Sequence, residues 1–100
     1  MGKVINNPHQ ANVPAIVTSA GDVLAANTSR QGWSIQNVGT NPIFIRLATG
    51  ASTTVFHHVI KGGTGDSDGL GGSYAQFEGS VYSGIVSIAG TTPKLVVTEV

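Results

Sequence analysis

The chain is 100 residues long, which is the size of one ordinary domain and too short for two hydrophobic cores. It contains no cysteine, which excludes disulfide bonds, thiolate metal sites and a thiol nucleophile. Charged residues make up 10% of the chain, and the five basic and five acidic side chains cancel. Nucleic acid and anionic membranes bind basic surfaces, so neither is an expected partner, and assembly with other protein is the first functional hypothesis.

The first zone of the chain, residues 1–21, is predicted to be an extended N-terminal arm. Pro8 and Pro14 exclude a helix there, and residues 15–17 are predicted to pair as an edge strand. The zone has no long apolar run, so we expect neither a secretory signal nor a transmembrane helix. Its apolar side chains need a surface to cover them, which predicts docking onto a partner or onto a second copy. These candidate partner-binding residues are Val4, Ile5, Val13, Ile16 and Val17.

The second zone, residues 22–61, is predicted to consist of strands. Apolar and polar residues alternate in GWSIQNVG and in IFIRL, and the GTNP turn between them at residues 39–42 predicts a hairpin. The segment STTVFHHVI at residues 52–60 continues the alternation and predicts a third strand.

The last zone, residues 73–100, contains SVYSGIVSIAG and KLVVTEV on either side of a GTTP turn. This spacing predicts a second hairpin. Because no segment repeats apolar residues at helical spacing, the chain is predicted to be all-β. Seven or eight short strands are expected to close into a single small β-sandwich or jelly-roll-like barrel, since an open sheet leaves one face uncovered. The domains are then the arm at 1–21 and the β-domain at 22–100.

The glycine-rich segment KGGTGDSDGLGG, residues 61–72, is the clearest candidate for a ligand loop. It is not a P-loop, because its Lys61 precedes the glycines and no helix can follow them. An isolated calcium site completed by backbone carbonyls is an alternative, with side-chain ligands from Asp66, Asp68 and Glu78. We interpret the segment instead as a long, exposed, mobile loop that acts through contact and binds no metal or nucleotide.

Catalytic and metal-binding patterns are weak in this sequence. His57 and His58 are adjacent, so on a strand they face opposite sides and cannot bind one zinc ion together, and His9 is remote. The Gly-x-Ser-x-Gly elbow is absent and the carboxylates are scattered. We therefore expect no enzymatic activity, no cofactor, no metal and no small-molecule substrate.

The aromatic residues raise one further alternative, a stacking platform for carbohydrate. We expect most of them in the core, since a small sandwich needs about six large side chains to fill it. They are Trp33, Phe44, Phe56, Tyr74, Phe77 and Tyr82.

Short motifs between residues 24 and 100 carry a resemblance to known proteins. They are Asn-x-x-Arg at Asn27 and Arg30, Ile-Gln-Asn at 35–37, Gly-Thr-Asn-Pro at 39–42, an ASTTVF strand, a glycine-rich loop and a closing Val-Thr-Glu at 97–99. In these motifs the chain resembles small structural proteins encoded beside the capsid genes of tailed bacteriophages.

The resemblance implies a virion structural role, that of a capsid decoration (cement) protein on the capsid surface. Such a protein is made in the host bacterial cytoplasm, binds the major capsid protein across neighbouring capsomers and is often a homotrimer. A neck, tail or fibre component, including a carbohydrate-binding module, is the alternative. The motifs carry turn and strand chemistry, so they point to a fold more than to an active site.

Overall fold

The structure is a computed structural model that describes residues 12–77 and 79–100. The described residues form eight strands and no helix, which confirms the all-β prediction. The strands are β1 (Asn12–Val17), β2 (Gly21–Leu24), β3 (Gly32–Asn37), β4 (Ile43–Arg46), β5 (His58–Ile60), β6 (Ser73–Phe77), β7 (Val86–Ala89) and β8 (Leu95–Glu99).

The strands form two antiparallel sheets of four. The first sheet has the order β1-β8-β3-β6 and the second β2-β7-β4-β5. Within them β1 pairs with β8, β2 with β7, β3 with β6 and β4 with β5. The chain therefore pairs as one long ribbon that is folded back on itself, with its first half running beside its second half.

Both predicted hairpins are wrong. β3 and β4, on either side of the GTNP turn, lie in different sheets, and so do β7 and β8 on either side of the GTTP turn. Alternation along a strand indicates which of its side chains are buried. The alternation is the same whether the following strand pairs with the first one in a sheet or faces it across the core, so it does not distinguish a hairpin from a crossing between sheets. The turns were recognised from the sequence, but they connect the two sheets.

Asn37 holds these two crossings at one end of the sandwich. Its buried side-chain amide donates to the carbonyl oxygens of Asn41 (2.8 Å) and Ile60 (3.3 Å), and its oxygen accepts from the Gly39 N–H (3.0 Å). Asn41 in turn donates to the Thr91 carbonyl at 2.9 Å, which joins the GTNP turn to the GTTP turn.

Arg30 closes the opposite end. Its guanidinium, whose side chain is fully buried, donates to the Glu99 carboxylate (2.8 Å) and to the carbonyl oxygens of Tyr82 (2.7 Å), Gly84 (3.0 Å) and Ala25 (2.6 Å). One side chain thus joins the nearby Ala25 to two segments distant in sequence, residues 82–84 and Glu99.

The core lies between the sheets and follows the period-two pattern of the strands. Trp33 and Ile35 of β3 face Ile43 and Ile45 of β4, and all four are 0% exposed. The indole N–H of Trp33 donates to the side-chain oxygen of Gln76 at 3.1 Å, so the buried ring is also satisfied. The remaining core residues are Leu24, Ile60, Val86, Ile88, Leu95 and Val97.

Two predicted strands are shorter in the structure. Of residues 52–60 only β5 is a strand, while Ser52 and Val55 form an isolated bridge across a turn. This segment folds over the second sheet, where the buried hydroxyl of Ser87 accepts from the Ala51 N–H and donates to the Ala48 carbonyl. Of the predicted SVYSGIVSIAG strand only β7 is regular. Before it, the carbonyl oxygens of Tyr82 and Gly84 accept hydrogen bonds from the Arg30 guanidinium and not from a neighbouring strand.

Candidate protein-binding surface

The outer side of the first sheet has no charged side chain among the described residues. The inward positions of β3 are occupied by Trp33 and Ile35, so Ser34 and Gln36 point outward. Their register partners on β6 and β8 point the same way. We call this surface the uncharged face. It comprises Ile16, Ser34, Gln36, Ser73, Ala75, Phe77, Val96 and Thr98.

The uncharged face is apolar at its margins and small and polar between them. Ile16 on β1 is 65% exposed and Phe77 on β6 is 51% exposed. A side-chain carbon at Gly32 would overlap the Phe77 ring, so the glycine lets the ring lie across the backbone of β3. Depletion of charge together with exposed apolar side chains is typical of the buried centre of protein interfaces.

The outer side of the second sheet is different because residues 47–57 cover part of it. Arg46 points outward there and donates to the Thr49 carbonyl at 3.1 Å. The Phe56 ring meets the Phe44 ring edge-on, with the ring centroids 5.0 Å apart, and Val59 is exposed beside Phe44 on the neighbouring strand. This side combines a cation with a small apolar cluster.

Asp68 organises the glycine-rich loop from within. Its carboxylate accepts from the Thr64 N–H (3.0 Å) and hydroxyl (2.8 Å), the Gly65 N–H (2.7 Å) and the Leu70 N–H (2.9 Å). The hydrogen bonds from the Leu70 N–H and the Thr64 hydroxyl are the main causes that lower the pKa of Asp68 to about 2. The carboxylate therefore acts as a structural acceptor for its own loop.

The loop is also attached to the rest of the domain. Asp66 forms an ion pair with Lys94, with both carboxylate oxygens within 2.9 Å of Nζ. The Gly63 N–H donates to the Gly39 carbonyl at 2.8 Å, and the Ser67 N–H to that of Val38 at 2.7 Å. These contacts define a loop shape, which our interpretation as a mobile loop did not anticipate.

The two described aspartates of the alternative calcium site are engaged in other contacts. Asp66 and Asp68 use their carboxylates in the contacts above, and the side chain of Glu78 lies outside the described residues. In the part of the chain that the structure describes, no three His, Asp or Glu side chains are grouped so that they could hold a metal ion.

The two adjacent histidines have separate environments. The His58 ring stacks on Tyr74, with the ring centroids 4.0 Å apart, and so joins the edges of the two sheets. His57 is exposed, and its Nδ1 accepts from the Leu47 N–H at 3.0 Å. His9 lies outside the described residues.

The aromatic residues are divided between the core and two separate surfaces. Trp33 is buried, and Tyr74 and Tyr82 pack against the core. Phe56 and Phe77 are exposed, but Phe77 belongs to the first sheet and Phe56 covers the second. No flat platform joins these two rings.

Of the predicted partner-binding residues, Ile16 lies on the uncharged face. Val17 points the other way and packs against the core. Val13 is in β1. The prediction that residues 15–17 pair as an edge strand is confirmed, because they are in register with β8. Val4 and Ile5 lie outside the described residues.

Sequence reasoning missed β6 and therefore missed Ala75 and Phe77. The strand has only five residues, and its inward positions hold Tyr74 and Gln76 in place of two aliphatic residues. The alternation in SYAQF was a usable signal, but the glycines before it dominated our interpretation.

Comparisons with protein-family models, with curated proteins and with solved structures find no match to this chain. Within residues 12–77 and 79–100 there is no pocket and no helix long and apolar enough to cross a membrane. The uncharged face is the strongest candidate site on the described surface because it combines depletion of charge with the exposed Ile16 and Phe77.

Proposed function

We propose that this protein is a virion structural protein that decorates and stabilises a bacteriophage capsid. The observation that carries the proposal is the uncharged face, four strands wide, with exposed Ile16 and Phe77 at its margins. Burying this face against protein removes apolar area from water and requires no charge to be desolvated. By binding across neighbouring capsomers, each subunit would add interface area to the shell. The protein would then be made in the bacterial cytoplasm and reside on the virion surface.

A jelly roll is the proposed form of the sandwich. The nested pairing of β1 with β8, β2 with β7, β3 with β6 and β4 with β5 supports it, because a jelly roll winds a folded-over ribbon into two facing sheets. The resemblance in the Asn27, Arg30 and Glu99 motifs adds a structural reason, since the Asn27 and Arg30 side chains both donate to the Glu99 carboxylate at one end of the sandwich.

The arm and self-association complete the proposal. Residues 12–17 of the arm form β1, an edge strand of the first sheet, so Val4 and Ile5 before it would extend the contact onto a neighbouring subunit or the shell. The resemblance implies a homotrimer, in which three weak contacts would act together. Deleting residues 2–11 leaves β1 in place, and we expect it to weaken capsid binding while the domain still folds.

The decisive experiment measures binding of the purified protein to empty expanded heads of its virus. Thr98→Lys places a cation in the middle of the uncharged face, and we expect it to weaken binding on the order of tenfold or more because the charge must be desolvated. Thr53→Lys makes the same change on an exposed turn over the second sheet and should bind like the parent. Absence of binding by the parent contradicts the capsid role, and equal binding by the Thr98→Lys variant contradicts the assigned surface.

The second candidate is a neck, tail or fibre component with a carbohydrate-binding module. The exposed Phe56 ring beside Phe44 favours it, since phenyl rings stack on sugars. In that case the protein binds tails or host polysaccharide and not heads. Binding would be lost in Phe56→Ala and retained in Thr98→Lys, the reverse of the pattern expected for decoration.

A further inference from the structure

The two sheets have four edge strands, and three of them carry features that hinder pairing with another chain. β1 contains Pro14 and a register shift, and β2 contains Asp22 and a register shift. β5 is only three residues long. Proline, charge, irregularity and shortness are the usual means by which proteins protect sheet edges.

β6 is the exception. It has five residues, pairs with β3 in unbroken register from Ser73 to Phe77 and contains neither proline nor charge. Among the described residues no strand lies on its other side. A regular, uncharged edge of this kind is a template for a further strand.

The ladder shows which backbone groups are free at this edge. The Asn37 N–H donates to the Gly72 carbonyl at 2.9 Å, so residues at intervals of two along β6, namely Tyr74 and Gln76, direct their backbone groups to β3. Ser73, Ala75 and Phe77 direct theirs to the open side. All three of these residues are exposed.

We propose that β6 pairs with β6 of a second copy about a two-fold axis at Ala75. In this antiparallel register Ala75 faces its own counterpart and Ser73 faces Phe77, so every free N–H and C=O of the three residues finds a partner. The pair forms about six backbone hydrogen bonds and joins two four-stranded sheets into one.

The side chains at this junction are compatible with the pairing. Ser73, Ala75 and Phe77 all belong to the uncharged face, so the junction brings no like charges together. The methyl groups of the two Ala75 residues leave room at the axis. Each Phe77 ring lies over Gly32, on the side of β6 away from the junction, so it leaves room for the small Ser73 of the other copy. The two uncharged faces become continuous across the pair.

This inference deepens the proposed self-association and does not depend on the capsid role. A two-fold contact alone produces a dimer, and combined with the three-fold contact implied by the resemblance it produces a hexamer. In either case, blocking β6 halves the mass of the oligomer. That ratio is the quantity to measure.

The test compares masses by light scattering at protein concentrations on the order of tens of micromolar. Ala75→Pro removes an N–H that β3 does not use, and Ala75→Lys places two cations at the axis. We expect both variants to have half the mass of the parent. Ala26→Lys makes the same charge change at an exposed position between β2 and β3, and should leave the mass unchanged. Emission from the single, buried Trp33 reports whether each variant is folded.

A cysteine variant tests the register directly, because the chain has no cysteine of its own. Residues opposite each other in a hydrogen-bonded pair have Cα atoms about 5.5 Å apart, which a disulfide can span. We expect Ala75→Cys to oxidise to a covalent dimer and Ala26→Cys, as the control, to remain reduced much longer.

A parent that is monomeric overturns the pairing, as does an oligomer whose mass is the same in folded Ala75→Lys. Equal oxidation of the two cysteine variants overturns the register. If Ala75→Pro is unfolded, the lysine and cysteine variants decide. A monomer that still binds heads contradicts only the pairing, whereas a two-fold oligomer that does not bind heads contradicts only the capsid proposal.

Discussion

Replacing Arg30 by methionine should destabilise the domain much more than the same replacement of Arg46, the other arginine of the chain. The change keeps much of the side-chain length but removes every donor that reaches Glu99, Tyr82, Gly84 and Ala25. The Glu99 side chain is only 17% exposed, so its carboxylate would lose its cation in a poorly solvated position.

The magnitude follows from these contacts. Removing one partner of a buried ion pair costs about 3–5 kcal/mol, because the other charge is left uncompensated. The three carbonyl acceptors add to this cost where water cannot replace the guanidinium. A domain of this size has a total stability of about 5–15 kcal/mol, so Arg30→Met removes a large share of it. Each kcal/mol lowers the melting temperature by about 4–8 °C, which predicts a fall of at least about 12 °C.

Urea unfolding followed by Trp33 fluorescence measures this loss, since Trp33 is buried in the folded state. Arg46→Met is the matched control. Among the described residues Arg46 donates to two exposed loop carbonyls, at 3.1 and 3.4 Å, and we expect its loss to cost less than about 1 kcal/mol. If the two variants unfold at the same urea concentration, Arg30 does not hold this end of the sandwich together.

Two further predictions concern the glycine-rich loop. Because the pKa of Asp68 is lowered from 3.8 to about 2, its contribution to stability is complete above pH 4 and is lost as pH falls through 2. The melting temperature of Asp68→Asn should therefore lie below the parent's at neutral pH and vary less between pH 4 and 2, whereas Asp66→Asn should behave like the parent. Gly71→Ala would place a methyl group against the Asn37 carbonyl oxygen, and we expect it to lower the free energy of unfolding in urea by about 1–3 kcal/mol. Gly65→Ala is the control, because its methyl group would make only ordinary contacts and should lower that free energy much less. Equal losses in the two variants would refute the close approach at Gly71.

For replacement of both loop aspartates by asparagine, the sequence predicts tolerance and the structure does not. The sequence showed two aspartates among glycines, for which asparagine preserves volume and turn preference. Only the folded loop shows that the Asp68 carboxylate is surrounded by hydrogen-bond donors. In asparagine one of the two oxygens is replaced by an amide nitrogen, which cannot accept a hydrogen bond. Asp66→Asn should still be tolerated, because the Asp66 side chain is exposed and its carboxylate pairs with Lys94 at the surface.

The sequence alone determined the fold class, the positions of the turns and much of the core. Period-two alternation around Trp33 and Ile35, and again around Ile43 and Ile45, identified inward-facing residues without reference to any partner strand. Gly-Thr-Asn-Pro and Gly-Thr-Thr-Pro marked chain reversals for local steric reasons. These features depend on residues within a few positions of one another.

Tertiary structure decided which strands are neighbours and what surface remains. Whether β4 pairs with β3 or faces it across the core depends on β7, which pairs with β4, and on β8, which pairs with β3, and both come from the far end of the chain. The burial of Arg30, the acceptor role of Asp68 and the open edge of β6 likewise arise from segments that meet only after folding. Local patterns specify which side of a strand is apolar, whereas long-range pairing specifies which edge and which face are left for another protein.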